Sequence, residues 1–330
     1  MTTTTGRAGA GPREAPPTPS PSVRDEHVWR NRFSKWDVKY MPYVLISPFF
    51  VLFGVFGLFP LIYNGVVSLR TWRLDNPAAD GWAGLQNYRK LFGDSDFWNA
   101  LYNTFGIFVV ATIPQLLIAL ILAGLLNRKL RATTTFRMGV LVPYITPIAA
   151  STLIFASVFA NRYGIANQFL KAIGLDPVDW RAERWSSWTA ISIMVDWRWI
   201  GYMTLIYLAA MQSVSRDIYE AAAIDGAGPQ RQFWSLTVPL IRPTIVFTAV
   251  IATIGMMQLF TEPLLFDSNT AAASGGSAHQ FQTVALLIYR TGWKDLNLGY
   301  AAAMSWVMFV IIVALAAVNA FLTNRLGRGK

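Results

Sequence analysis

The residue types that carry covalent chemistry are scarce in this sequence. Its 330 residues include no cysteine and two histidines, His27 and His279. Thiolate nucleophiles, disulfides and cysteine-ligated metals are therefore excluded. With one histidine in the N-terminal tail and one in a polar loop, the sequence does not indicate a histidine-based metal or catalytic centre. The pattern G-x-x-x-x-G-K-[ST], which holds nucleotide phosphates, occurs nowhere in the chain. We expect no catalytic residue, no metal site and no cofactor bound by this chain.

Polar side chains inside long apolar stretches are the remaining candidates for binding a ligand. Asp196, Trp199 and Tyr202 fall in one such stretch, and Gln258 and Glu262 fall in another. Polar groups are costly in hydrocarbon, so those found there are candidates for a functional role. Trp199 and Tyr202 are three residues apart, which places them on one helical face. Aromatic rings beside an amide or a carboxylate suit a carbohydrate, so these five residues are substrate-path candidates.

Structural interpretations of the same residues stay open. Trp199 can belong to an aromatic belt at the membrane surface, where tryptophan is enriched. Asp196 and Arg198 can form an interfacial pair whose charged ends reach toward water. Glu262, which precedes Pro263, can likewise lie at the membrane surface.

The composition indicates that these residues belong to membrane-spanning helices. Charged residues make up 14% of the chain, whereas about a quarter is usual for a soluble domain. A spanning helix needs about 20 mostly apolar residues, and interior prolines are tolerated. Six segments meet this requirement: 44–66, 104–126, 138–160, 190–212, 243–265 and 300–323. The sequence therefore predicts an all-α integral membrane protein with six transmembrane helices.

Composition also divides the chain into two regions. Residues 1–41 are polar and rich in proline and threonine, so we predict a disordered cytoplasmic tail. Residues 42–330 form the predicted transmembrane domain. The net charge of +10 comes mainly from basic residues beside the apolar stretches, which is typical of membrane proteins and not of nucleic-acid binding. These residues are densest near both termini and in the links between spans 2 and 3 and spans 4 and 5. Both termini are therefore predicted to be cytoplasmic.

The segment between the fourth and fifth predicted spans has a helix-turn-helix pattern. Asp217 and Glu220 resemble a capping box, and the alanines that follow favour a short helix. Gly226 suits the turn at the end of that helix, and Pro229 suits the first turn of a second helix. An ordinary amphipathic connector has the same features, so the pattern alone leaves that alternative open.

This segment resembles the EAA loop of binding-protein-dependent ABC importer permeases. The residues 220–222 (Glu-Ala-Ala), Gly226 and Pro239 match the motif at its spacing. Leu236 stands in place of isoleucine and Val238 in place of leucine, both apolar replacements. The resemblance implies an all-helical permease whose loop docks on a separate ATPase.

Features outside the loop extend the resemblance to about residues 40–327. They are Pro48 and Pro60 in the first span, the segment Gly84–Tyr88, the pair Asn103–Thr104, and the segment Leu298–Ala301. Together they look like the maltose-type carbohydrate permeases, specifically the first of the two paired subunits.

The resemblance implies a function and a set of partners. It implies a multi-pass permease subunit in the bacterial cytoplasmic membrane that pairs with a second permease subunit. A cytoplasmic ABC ATPase dimer would bind ATP and Mg, and an extracytoplasmic solute-binding protein would deliver a sugar, with an oligosaccharide favoured. The implied ATPase-coupling residues are Glu220, Ala221, Ala222, Asp225, Gly226 and Pro239.

Two alternative functions stay open. One is an ABC permease for another polar solute. The other is an ion-coupled secondary transporter, which predicts internal repeats with broken helices that the sequence does not convincingly show.

Overall fold

The computed structural model describes residue 2 and residues 39–128, 133–267 and 274–327. The chain divides into two compact units, Met1–Tyr63 and Asn64–Lys330. The predicted tail, residues 1–41, lies almost wholly outside the described residues. Within the described ranges, the regular structure is helical apart from two isolated β-bridges, Arg70–Trp82 and Arg73–Asn297. The prediction of an all-helical protein is confirmed for these ranges.

The helices are numbered in chain order. They are α1 Lys39–Ser68, α2 Gln86–Phe92, α3 Ser95–Leu126, α4 Thr133–Ile145, α5 Ile148–Val158, α6 Ile165–Ala172, α7 Arg184–Gln212, α8 Arg216–Ile224, α9 Pro229–Leu240, α10 Arg242–Met257, α11 Thr261–Phe266, α12 Val284–Tyr289 and α13 Leu298–Gly327. Short π-helical segments occur in α1 (Gly54–Leu58), in α9 (Phe233–Thr237) and directly after α12 (Arg290–Lys294).

Three of the described helices are long and apolar enough to cross a membrane. They are α1, α3 and the Leu298–Asn319 part of α13. Two bent pairs, α4 with α5 and α9 with α10, raise the number to five if each pair is one span. Helix α7 has 29 residues but is less apolar, because its middle carries Asp196 and Arg198. The count of six spans stays a prediction.

The predicted span 138–160 is divided into two helices. Helix α4 ends at Ile145 and α5 begins at Ile148, with a bend of 90° between them. Pro147 explains the break, because a proline disfavours the helical conformation at the preceding residue and lacks an N–H group to donate. The structure therefore differs from the single helix that the apolar pattern predicts.

The predicted span 243–265 is also interrupted. Helix α10 ends at Met257, and α11 resumes at Thr261. In a continuous helix the Leu259 carbonyl would accept from the residue at position 263, but Pro263 has no N–H group. The Thr283 hydroxyl donates to the Leu259 oxygen instead, at 2.7 Å. A side chain distant in sequence thus satisfies the carbonyl that the proline leaves free.

Two glycines allow the central helices to approach closely. A Cβ atom at Gly106 on α3 would lie 2.2 Å from the ring of Trp188 on α7. A Cβ atom at Gly201 on α7 would lie 1.8 Å from the backbone oxygen of Val140 on α4. Helix α7 therefore packs against both neighbours at distances that exclude any side chain at these positions.

Gly201→Ala is expected to destabilise the helix bundle. The added methyl group meets a backbone oxygen, so α4 or α7 must shift, and overpacking of this kind costs about 1–3 kcal/mol. The measurement is the melting temperature of the purified protein in detergent. Gly139→Ala is the matched control, because a Cβ atom there meets nothing within 4 Å. Equal melting temperatures for the two variants would contradict the close packing of α4 on α7.

Candidate functional site

Residues 215–240, called the 215–240 loop below, begin with helix α8. Ser215 caps this helix, since its Oγ accepts a hydrogen bond from the Asp217 N–H at 3.3 Å. The same hydroxyl donates to Asp217 Oδ2 at 3.0 Å. The cap therefore lies two residues before the position that the capping-box pattern predicts. Serine satisfies a backbone N–H group that has no partner at the helix start.

Gly226 forms the turn that ends α8. Its φ angle is +76°, in the left-handed region where glycine is favoured. The Gly226 N–H donates to the Ala223 oxygen at 3.1 Å, and the Ala227 N–H donates to the Ala222 oxygen at 2.9 Å. These two bonds make a Schellman motif, which satisfies the last carbonyls of the helix. The direction of the next helix therefore depends on the conformation of Gly226.

Helix α9 begins at Pro229 and folds back against α8. The Gln232 Nε2 donates to the Ala227 oxygen at 2.8 Å, which fixes the turn from the second helix. The hydroxyl groups of Tyr219 on α8 and Thr237 on α9 are 3.0 Å apart and share a hydrogen bond. The 215–240 loop is thus a defined pair of helices, tied together at the turn and along their length.

The motif residues of the loop lie on its surface. Most of them are exposed and one is half-buried: Glu220, Ala221, Asp225, Gly226 and Pro239 are exposed, and Ala222 is half-buried. Within the described part of the chain, the side chains of Glu220 and Asp225 make no hydrogen bond or ion pair. The outer face of α8 therefore presents small side chains and free carboxylates.

The loop meets the bundle at the C-terminal end of α3. Phe233 lies against Gly124, where a Cβ atom would come within 2.5 Å of the ring. Beside this contact is a largely apolar groove of about 420 Å³. Its walls include Leu125 from α3, Met211 from the end of α7, and Trp234 from α9. A displacement of the loop would therefore act directly on the ends of α3 and α7.

Trp199 and Tyr202 belong to an aromatic cluster that also includes Tyr144. The rings of Tyr144 and Tyr202 are stacked with centroids 4.7 Å apart, and Trp199 packs edge-on against both. Trp199 and Tyr202 are half-buried. The sequence pattern places the α7 pair on one face but gives no signal for Tyr144, which comes from α4, the helix that packs against α7 at Gly201.

Trp199 also lines a small cavity inside the bundle. The cavity holds about 40 Å³ and is bounded by Gln115, Val195, Trp199, Ile251, Ala252, Gly255, Met256 and Leu259. Gln115 is 2% exposed, and its Oε1 has no hydrogen-bond partner among the described residues. This volume is large enough for water, and the free oxygen is an acceptor for a hydroxyl group. The sequence analysis missed Gln115, although a glutamine after Pro114 in an apolar span was a usable signal.

The charged candidates are arranged differently from the sequence interpretation. Arg198 pairs with Glu262, with Nη1 and Oε1 3.7 Å apart and with 13% and 3% of the two side chains exposed. Asp196 is not its partner: the Asp196 side chain is buried, and its Oδ1 has no hydrogen-bond partner among the described residues. The ion pair joins α7 to α11, across the break in the predicted fifth span.

Gln258 lies at that break and is exposed. Its Nε2 donates to the Ile254 oxygen one turn earlier, at 3.2 Å. It does not line the cavity beside Trp199. The structure therefore brings Trp199 and Tyr202 together, and it places Gln258 at the start of the break and Glu262 just after it.

The described helices and their apolar spans define a class: all-helical membrane proteins. Residues 104–328 match the family described as the inner membrane component of binding-protein-dependent transport systems. The chain belongs to this family, and the family assignment from the sequence resemblance is confirmed.

Curated relatives cover most of the chain. The lactose transport permease LacF of Rhizobium radiobacter is 36% identical, over 83% of this chain and 91% of the relative. The arabinooligosaccharide transport permease AraP of Halalkalibacterium halodurans is 31% identical, over 88% of this chain and 90% of the relative. A chain of a bacterial alginate ABC transporter, crystallised with its alginate-pentasaccharide-bound periplasmic protein, is 20% identical. It superposes with a TM-score of 0.75 over 90% of this chain and 98% of that chain, so the two share a fold.

Proposed function

We propose that this chain is a permease subunit of an ABC importer and forms part of the path for a sugar. One observation carries the proposal: the chain matches the importer family, and its curated relatives in that family are named as permeases for lactose and arabinooligosaccharides. The chain covers about nine-tenths of each of these relatives, so the similarity is to whole permeases. An oligosaccharide is the favoured cargo.

The proposed assembly contains four kinds of subunit. This chain pairs with a second permease, two copies of an ABC ATPase bind ATP and Mg, and an extracytoplasmic protein delivers the cargo. The alginate transporter, crystallised with a periplasmic protein, supports the last partner. The 215–240 loop is the proposed docking surface for the ATPase, because its exposed face combines alanines that permit close approach with free carboxylates of Glu220 and Asp225.

The proposed cargo path passes the aromatic cluster and the cavity beside it. Trp199 and Tyr202 offer aromatic faces, and Gln115 offers a buried acceptor without a partner among the described residues. Carbohydrate hydroxyls need such directed acceptors, and their C–H faces pack on aromatic rings. Glu262 is already engaged by Arg198, so it is a weaker candidate than the sequence alone indicates.

Tyr202→Ala is expected to slow sugar uptake by about two- to tenfold. The reason is that an aromatic contact contributes roughly 0.5–1.5 kcal/mol beyond its buried area. The measurement is the initial uptake rate in vesicles that contain the assembled complex. Tyr43→Ala is the control, since this α1 tyrosine is 68% exposed. Unchanged uptake in Tyr202→Ala would remove the cluster from the path.

We propose six spans with both termini in the cytoplasm. Because the chain has no cysteine, single cysteines report accessibility without background. An impermeant maleimide should label Ala182→Cys from outside intact cells, and Ala223→Cys only after permeabilisation. External labelling of Ala223→Cys would reverse the proposed orientation and remove the loop from the ATPase side.

Stimulation of ATP hydrolysis tests the proposed function. The purified complex is expected to hydrolyse ATP faster when its solute-binding protein is loaded with a sugar, and a panel of mono- and oligosaccharides identifies which one. If no sugar stimulates ATP hydrolysis but another polar solute does, the sugar assignment is wrong and the assignment to the importer class still holds.

A further inference from the structure

Helix α6 buries the polar side chain of Asn167 and exposes a row of apolar side chains. Asn167 is 2% exposed, and all its hydrogen-bonding capacity is directed inward. Its Nδ2 donates to the oxygens of Asn161 and Val178 at 3.0 and 2.9 Å. Its Oδ1 accepts from the Val178 N–H at 3.1 Å and from Trp180 Nε1 at 2.9 Å. This side chain anchors the inner face of the helix to the segment before α7.

The outer face of α6 and its C-terminal turn is apolar. Ile165, Phe169 and Ile173 follow at intervals of four residues and are 65%, 64% and 55% exposed. A helix that faces water places its apolar stripe against the core and its polar residues outside. In α6, by contrast, the side chain of Asn167 is buried while these three apolar side chains are exposed, so the apolar row requires an apolar environment in the assembled protein.

The orientation of α6 is fixed at both ends. A Cβ atom at Gly164 would lie 2.3 Å from the Ala160 oxygen, so this residue packs directly on the turn that follows α5. At the other end, Gly174 has a φ angle of +82°, and the Leu175 N–H donates to the Leu170 oxygen at 2.9 Å. The apolar face therefore cannot be turned inward by rotating the helix without breaking these contacts.

The residues around this face are those found where lipid meets water. Arg162, just before the helix, and Lys171, in its last turn, are both exposed. Tyr163, just before α6, is 83% exposed, and Trp185, at the start of α7, is 64% exposed. The indole N–H of Trp180 donates to Asn167. Tyrosine and tryptophan are enriched at the membrane surface, and basic side chains there reach the headgroups.

The preceding helix also exposes apolar side chains. Helix α5, which immediately precedes α6, belongs to a bent helix pair that is apolar enough to be one span, and it exposes Leu153 and Ile154 at 49% and 62%. We infer that α6 is an amphipathic interfacial helix, with Ile165 and Phe169 inserted among the acyl chains of the leaflet on the side opposite the 215–240 loop. Arg162 and Lys171 bind the headgroups of that leaflet, with anionic phosphate favoured by their charge. The occupant of the face is lipid and not a partner subunit.

Spin labels on single cysteines test this inference. Phe169→Cys and Gln168→Cys are each labelled in the full transporter complex, in nanodiscs of mixed zwitterionic and anionic phospholipid. The two positions are exposed neighbours that point about 100° apart around the helix. Collision with oxygen reports lipid, and collision with a water-soluble nickel chelate reports water. We expect a higher ratio of oxygen to nickel collisions at position 169 than at position 168.

Two results would overturn the inference. A nickel-accessible label at position 169 means that the face is in water. A label at 169 that neither reagent reaches means that a protein subunit covers it. Both outcomes leave the transport function untouched, since uptake by the unlabelled parent is measured separately.

Discussion

Gly226→Val is expected to reduce sugar uptake to the background level while the protein still inserts in the membrane. A β-branched residue at a φ angle of +76° costs at least about 1 kcal/mol, so the Schellman turn is lost. Helix α9 then leaves α8 in a different direction, and the Tyr219–Thr237 bond between them cannot form. The measurement is uptake together with ATPase stimulation in reconstituted vesicles.

Gly228 provides the matched control for this prediction. An added Cβ atom would meet nothing within 4 Å at either glycine, but Gly228 has a φ angle of −65° that any residue adopts. Gly228→Val should therefore transport nearly as the parent does. Gly226→Asn should retain part of the activity, because asparagine tolerates the left-handed conformation. If Gly226→Val transports and is stimulated like the parent, the 215–240 loop is only a connector.

Glu262→Leu is expected to destabilise the protein by about 3–5 kcal/mol. It leaves the guanidinium of Arg198, whose side chain is 13% exposed, without its ionic partner in an apolar environment. The loss should appear as a lower melting temperature in detergent. Arg198→Met combined with Glu262→Leu should recover most of it, since a buried pair can often be replaced by apolar side chains at little cost.

A surface ion pair supplies the comparison. Arg70 and Asp80 are 2.9 Å apart with 40% and 29% of their side chains exposed, and pairs of this kind contribute about 0–1 kcal/mol. Asp80→Asn should therefore change the melting temperature far less than Glu262→Leu. If the Glu262 variant is as stable as the Asp80 variant, the Arg198–Glu262 pair does not hold α7 to α11.

The turn of the 215–240 loop was predictable because local rules determine it. A glycine after a run of alanines and a proline three residues later specify a helix end and a helix start from their own backbone preferences. The exact cap was not predictable in the same way. Ser215 and Asp217 are both good caps, and the choice between them depends on how the end of α7 enters the turn.

The sequence indicated where the helices could break but not whether they would. Pro147 and Pro263 mark both positions, but membrane helices often continue through a proline. Whether a break opens depends on what satisfies the freed carbonyl, and at Leu259 that partner is Thr283, far along the chain. Tyr144 and Gln115 were missed for a related reason: their approach to Trp199 depends on how α4 and α3 pack against α7, which no local pattern specifies.

Uptake of a labelled sugar into vesicles tests the central claim most directly. The vesicles contain this chain, its partner permease and the ATPase, with ATP inside and the loaded solute-binding protein outside. We predict that sugar accumulates only when ATP and the binding protein are both present, and that collapsing ion gradients has no effect. Uptake that proceeds without ATP and stops when an ion gradient is removed would contradict the account.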